Sequence, residues 1–212
     1  MNSMKVKDIE SSIGTLSAPS KMPCYSFSIS AKLCITGQKL RNVKNSICSK
    51  CYALKGRYVF PNVQDALAKR FVGMSDPQWI DKVVFMIGKR EKSGFFRWHD
   101  SGDLQSVAHL AAIVEIAKRL PNIQFWLPTR EFSIVSEFMA ANPVPDNLTI
   151  RLSALMFDGK PPVGIAKRLG LVTSGASSGN DFSCPSSKQS GKCMDCRACW
   201  DKSVSNVNYK QH

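Results

Sequence analysis

Eight cysteines in two groups, one toward each end, constrain this chain more than any other feature. Cys24, Cys34, Cys48 and Cys51 form the first group and Cys184, Cys193, Cys196 and Cys199 the second; residues 52–183, 132 positions, contain none. Four sulfurs close a tetrahedral zinc site or a cubane iron–sulfur cluster. A chain of 212 residues, 43% of them hydrophobic, has material for one ordinary core. The cysteines therefore do not stand in for a missing core, and the expectation is two metal sites attached to one folded body.

The compartment decides what the thiols do. No run of eighteen apolar residues exists, which excludes a membrane-spanning helix. The opening MNSMKVKDIESS has no apolar stretch of the secretory kind. The expectation is a cytoplasmic protein with reduced thiols that bind metal; export would instead make four disulfides the reading. The net charge of +13, from 29 Lys and Arg against 16 Asp and Glu, attracts polyanions. Nucleic acid is a reasonable partner on that ground, although cations near cluster thiolates account for part of the excess.

Periodicity sets the organisation. Residues 1–22 are polar and read as a flexible N-terminal arm, and residues 23–212 as a single α/β iron–sulfur domain. CYSFSISAKL (24–33) alternates as a short strand within a cysteine loop spanning 24–56. Helical spacing marks 62–74 and 77–92. A βα core (60–176) then alternates strand (94–104), helix capped by Ser106 and stopped by Pro121 (106–120), strand (122–130), helix (132–142) and strand (147–155). A short helix and fourth strand follow in 162–176, and a second cysteine loop in 177–200. Strand–helix–strand order at this spacing predicts a mainly parallel sheet in a partial (βα) barrel, with cysteine-rich loops at both ends.

The second group has spacing C-x8-C-x2-C-x2-C, with Pro185 after Cys184. Three cysteines at two-residue gaps suit a chain curling round a compact [4Fe–4S] cluster, as in bacterial ferredoxins, more than the paired C-x2-C elements of zinc sites. Structural zinc stays as the alternative. In the first group the spacing is C-x9-C-x13-C-x2-C, so Cys24 is either a ligand or a buried strand residue. Without it, three ligands leave one iron open for a substrate or cofactor. One or two clusters are expected.

RWHDSGD (97–103) gathers His99, Asp100, Ser101 and Asp103 at the C-terminal end of a predicted strand, the edge where parallel sheets build their sites. Thr129 and Arg130 hold the same edge of the next strand, and Arg151 and Ser153 lie near the end of the one after. His99 suits proton transfer, Asp100 its orientation or a base, Asp103 a ribose hydroxyl or amino group, and Arg130 a carboxylate or phosphate. Ser101, Thr129, Arg151 and Ser153 are the companion cofactor-binding candidates. Asp103 or Ser101 has a plainer reading as the cap of the following helix. Phe95, Phe96, Trp98, Phe125 and Trp126 read as packing rather than as a base-stacking platform.

CYSFSISAKLCITG, SICSKCYALKGRY, FRWHDSGDL, QFWLPTR and CMDCRACW, in that order, resemble the phage-encoded gene-product-88 family of uncharacterised proteins over roughly residues 20–200. Bacterial host cytoplasm is the location that this resemblance implies. Cys-x-x-Cys-Tyr-Ala and the strand-borne histidine and acids are also distantly similar to radical S-adenosylmethionine enzymes, but the C-x3-C-x2-C signature is absent, with thirteen residues between Cys34 and Cys48. That likeness implies a partial βα barrel with a cluster near its mouth and S-adenosylmethionine as a cofactor. Two functions are expected from these residues: an enzyme acting on a nucleotide, another small molecule or nucleic acid, or a nucleic-acid-binding or redox-sensing regulator whose clusters are structural.

Overall fold

The computed structural model describes residues 5–211. Its frame is one sheet of six strands: β1 Ser26–Phe27, β2 Phe95–Trp98, β3 Gln124–Thr129, β4 Leu148–Ser153, β5 Val172–Ser177 and β6 Asn206–Lys210. Spatial order follows chain order, and every neighbouring pair is parallel. Order without reversal means that each crossover steps the same way, the winding of a βα barrel; a doubly wound sheet reverses at a switch point. The sheet does not close, and β1 and β6 are its edges. This is the expected α/β class, with the sheet wholly parallel.

The helices are α1 Val6–Ile13, α2 Ile35–Leu40, α3 Pro61–Gly73, α4 Trp79–Arg90, α5 Val107–Arg119, α6 Phe132–Met139 and α7 Val163–Leu169. From α4 to α7 each packs on the next. Ser106 caps α5, its Oγ accepting from His109 N at 3.1 Å. In α3 the first turn is set by Pro61, whose fixed φ and missing N–H suit that position. None of the helices is long and apolar enough to cross a membrane.

Alternation along the strands gives the sheet two different faces. Phe96, Trp98, Phe125, Leu127, Ile150 and Leu152 point to the helices and form the main core. The intervening residues Arg97, Trp126, Thr149, Arg151 and Ser153 point to the concave inner side. A second apolar cluster sits there, built by Trp126 with Met22, Cys24, Cys199, Trp200 and Val207. In a closed barrel this interior would be packed solid; here the second cysteine loop fills part of it and a cavity occupies the rest.

Two sequence expectations need correction. Residues 5–22 of the proposed arm are not loose: α1 buries Ile9 and Ile13, and Leu16 follows them into the core. Val6, Ile9 and Ile13 make a narrow apolar stripe that the polar average of this segment hides. Gly73 permits the contact with α3, since a Cβ there would lie 2.5 Å from Ile13 Cα. The chain beyond the second cysteine loop also regains order, because β6 adds to β5 and completes the sheet.

Candidate functional site

The first cysteine loop is a run of short turns fixed by side-chain caps. Ser30 caps the turn at 31–33, and Ser46 caps the turn that carries Cys48. Cys34 precedes α2, whose Thr36 donates through N and Oγ1 to the Glu131 carboxylate, both at 2.8 Å. Asp100 rivets the far end of the loop to the sheet: its Oδ1 accepts from Ser26 Oγ at 2.8 Å and from Ser28 Oγ, and its Oδ2 from Tyr58 OH at 2.7 Å. Its carbonyl also accepts from Tyr52 OH. Asp100 is thereby spent on positioning. The result is a wall on which Cys34, Cys48 and Cys51 face one cavity of about 560 Å3. Gly37 keeps that wall open, since a Cβ there would stand 2.7 Å from Cys34 Cβ and 3.7 and 3.9 Å from the Cys34 and Cys48 sulfurs.

Cys24 is not with them. It is buried in the inner-face cluster beside Cys199, with Cys184 and Cys193 packed against that cluster. The two groups of four are therefore three and five in space. Cys184, Cys193, Cys196 and Cys199 line a smaller cavity of about 150 Å3, Cys184, Cys193 and Cys199 also reach the large one, and Cys24 lines neither. Cys193 N donates to Lys21 O at 2.8 Å, which ties this loop to the chain before β1. The Cys199 sulfur is 3.2 Å from Tyr209 OH, and that of Cys184 is 3.2 Å from Ser186 Oγ.

Burial pushes the Cys24 thiol up to about 12 and that of Cys199 to about 11. Burial raises Cys34, Cys48 and Cys193 as well. Cations oppose the trend at each set: Arg97 acts on Cys24, Cys193 and Cys199, and Arg130 on Cys48. Among the described residues, no three His, Cys, Asp or Glu side chains converge as ligands of a single ion.

The strand-end candidates divide. His99, Asp100, Ser101, Asp103, Arg130 and Ser153 all line the large cavity. His99, 3% exposed, leaves β2 at φ 55°, and neither of its ring nitrogens has a partner among the described residues. Burial, with His109 and Arg97 nearby, lowers its pKa well below the ordinary value and keeps the imidazole neutral. Ser101 Oγ is likewise buried and unpartnered. Gly102 is required directly after them, since at φ 85° a Cβ would meet Ile29 Cγ1 at 2.4 Å. Asp103 accepts from Leu104 N at 2.8 Å, Thr129 Oγ1 at 2.6 Å and Arg130 N at 2.9 Å. Burial outweighs these bonds and raises its carboxyl to about 6. Arg130 Nε donates to Ala154 O at 3.0 Å, and Ser153 Oγ meets Ser174 Oγ at 3.1 Å.

Thr129 and Arg151 are placed elsewhere. Thr129 lies behind the cavity wall and holds Asp103. Arg151 is fully buried, and its guanidinium donates to the carbonyls of Cys199, Val204, Ala198 and Asp201 at 2.6–2.9 Å and of Thr173 at 3.1 Å. It is a peg for the second cysteine loop, which corrects its assignment to cofactor binding. The inner side of the sheet faces that loop, so a strand residue two positions before the edge meets protein instead of cavity.

Sequence reasoning passed over Arg97, Arg41 and Glu131, and read Trp126 as packing. Arg97 and Trp126 line the cavity, with the guanidinium 4.5 Å above the Trp126 ring, and Arg41 enters from the first loop. Strand alternation was the available signal for Arg97 and Trp126, since both lie opposite core residues.

The family model described as gene product 88 matches residues 3–202. No curated protein and no solved structure matches the chain. The matched span contains both cysteine sets and the cavity residues His99, Asp100, Ser101, Asp103, Arg130 and Ser153, and the chain belongs to the gene product 88 family.

Proposed function

We propose that the protein is an iron–sulfur enzyme whose reaction takes place in the large cavity. Cys34, Cys48 and Cys51 would hold one cluster at the cavity wall, and Cys184, Cys193, Cys196 and Cys199 a second beneath the inner face. The observation that carries this reading is the sharing of one cavity by Cys34, Cys48 and Cys51, by Cys184, Cys193 and Cys199 of the second set, by a neutral buried histidine and by the cation Arg130 at the C-terminal edge of a parallel sheet. The donor set fits. Soft thiolates select iron–sulfur clusters, zinc or copper(I), and here four cysteines line one small cavity. The bare Cα of Gly37 leaves room between two sulfurs of the first set. Half-buried Arg130 beside Cys48 and Arg97 beside Cys199 favour the ionised, ligating form against the burial that raises both thiols.

A cluster held by Cys34, Cys48 and Cys51 would supply electron transfer. The residues do the rest. Asp100 holds the Tyr52–Tyr58 turns in place, His99 offers a neutral imidazole to a proton in the cavity, and Arg130 and Arg97 receive an anionic group. S-adenosylmethionine is the proposed co-substrate, and Cys184, Cys193, Cys196 and Cys199 would hold a structural second cluster in the loop that Arg151 anchors.

Anaerobic purification tests this. Brown protein with about eight irons per chain, cleaving S-adenosylmethionine on reduction, is the expected result. Colourless protein carrying stoichiometric zinc after native expression would overturn it. Brown protein inert toward S-adenosylmethionine would retain the clusters and remove the co-substrate.

A further inference from the structure

Residues 11–64 contain eight Lys and Arg and not one Asp or Glu. The segment includes the whole first cysteine loop, and its Cys34, Arg41, Cys48, Lys50 and Tyr58 line the cavity, with the other cations on the residues between and beside them. Lys32, Lys39, Lys44, Lys50, Lys55 and Arg57 are exposed, and none of these six makes an ion pair among the described residues. Arg41 and Lys50 reach the cavity itself. Exposed rings and apolar side chains interleave with the cations: Tyr52 is 40% exposed, Val59 51% and Phe60 53%.

Inside the cavity, buried hydrogen-bonding atoms await a partner. Arg41 Nε, Arg97 Nε, Trp126 Nε1, Ser101 Oγ and both His99 nitrogens have none among the described residues. Buried polar groups left unpaired cost roughly 1–3 kcal/mol each, so this set calls for an acceptor-rich guest. A cavity of about 560 Å3 is of ligand size.

We infer that the substrate is single-stranded nucleic acid, with its phosphates on the basic collar and one nucleotide turned into the cavity. The inference deepens the proposed function and rests on its reading of the cavity, but not on the metal content. Only an unpaired strand turns a nucleotide out without breaking base pairs, and exposed aromatics on a basic rim are what unpaired bases stack on. A free nucleotide would leave most of the collar unused. An anionic membrane surface would meet the collar but not enter the cavity.

Fluorescence anisotropy with an oligothymidylate or oligouridylate of about 12 nucleotides, on the protein as purified, tests this. Binding should weaken linearly with log salt. The double variant Lys55→Gln/Arg57→Gln should bind about tenfold more weakly, with a salt slope reduced by about 1.4, at roughly 0.7 per phosphate contact for single strands. Lys167→Gln/Arg168→Gln removes the same charge from the last turn of α7, at the opposite edge of the sheet, and should change affinity less than about twofold. Equal losses in the two variants would reduce the effect to net charge and overturn the inference. So would equal affinity for duplex or mononucleotide, no binding, or collar-dependent binding to phosphatidylserine vesicles in place of the oligonucleotide. Iron and oligonucleotide binding are read separately: iron-free protein that still binds sinks the cluster proposal alone, and brown protein that does not bind sinks this one alone.

Discussion

Asp103 accepts three hydrogen bonds, two from backbone amides, and is still so deeply buried that its carboxyl rises to about 6. The folded state therefore binds this proton more tightly than the unfolded chain, whose Asp titrates near 3.9. Its contribution to stability is fully present below about pH 4 and is lost as pH rises through about 6. His109 acts oppositely: burial lowers it to about 4, so its contribution is present above about 6.5 and lost as pH falls toward 4. The two offset each other in the parent. Asp103→Asn removes only the first, so between pH 4.5 and 7.5 the variant should gain about 2 kcal/mol on the parent in urea titrations. A pH-independent difference would show that Asp103 stays ionised. At this scale the sequence was partly legible. The grouping of His99, Ser101 and Asp103 follows from their place just after a strand, whereas the division of labour among them depends on partners more than twenty residues away, such as Thr129 for Asp103 and Tyr58 for Asp100.

The second cysteine loop has one short turn, Pro185–Lys188, as its only helical element among the described residues. It is held from outside by five bonds from the Arg151 guanidinium, by Trp200 Nε1 donating to Phe96 O at 2.9 Å, and by Thr149 Oγ1 donating to Trp200 O at 2.6 Å. Arg151→Met would leave five carbonyls, two of them in buried bonds, without that donor, at a cost of roughly 3–5 kcal/mol. The expected outcome is loss of the iron of the second set and protease cleavage within residues 178–205, with far-UV circular dichroism little changed. Arg151→Lys, with three donors at most, should fall between; an intact loop in the Met variant would refute the peg. Sequence periodicity revealed the strands and outer helices because each repeats an apolar spacing over a whole element. It missed α1, whose stripe is three residues wide in a polar segment, and β6, which follows a long loop and alternates only weakly.

Across the whole molecule, the partition of the cysteines follows from the direction of β1. A strand carries the chain across the sheet, so Cys24, before β1, and Cys34, beyond it, emerge at opposite edges despite being ten residues apart. The second loop covers the inner face on the side of Cys24, and the first loop crowns the C-terminal edge with Cys34. Sequence proximity suggested four and four because it carries no information about the side of the sheet on which a loop lands. Since Cys24 lines neither cavity, Cys24→Ser should leave the iron content unchanged. Cys34→Ser and Cys199→Ser should each lose about half, and their double variant nearly all, because the two sets are carried by separate loops on different sides of the cavity they share. Iron and acid-labile sulfide per chain, with electron paramagnetic resonance of the reduced protein, provide the readout. Loss of half the iron in Cys24→Ser would make Cys24 a ligand of the second set, and loss of all iron in either Cys34→Ser or Cys199→Ser would mean that the two sets assemble as one unit.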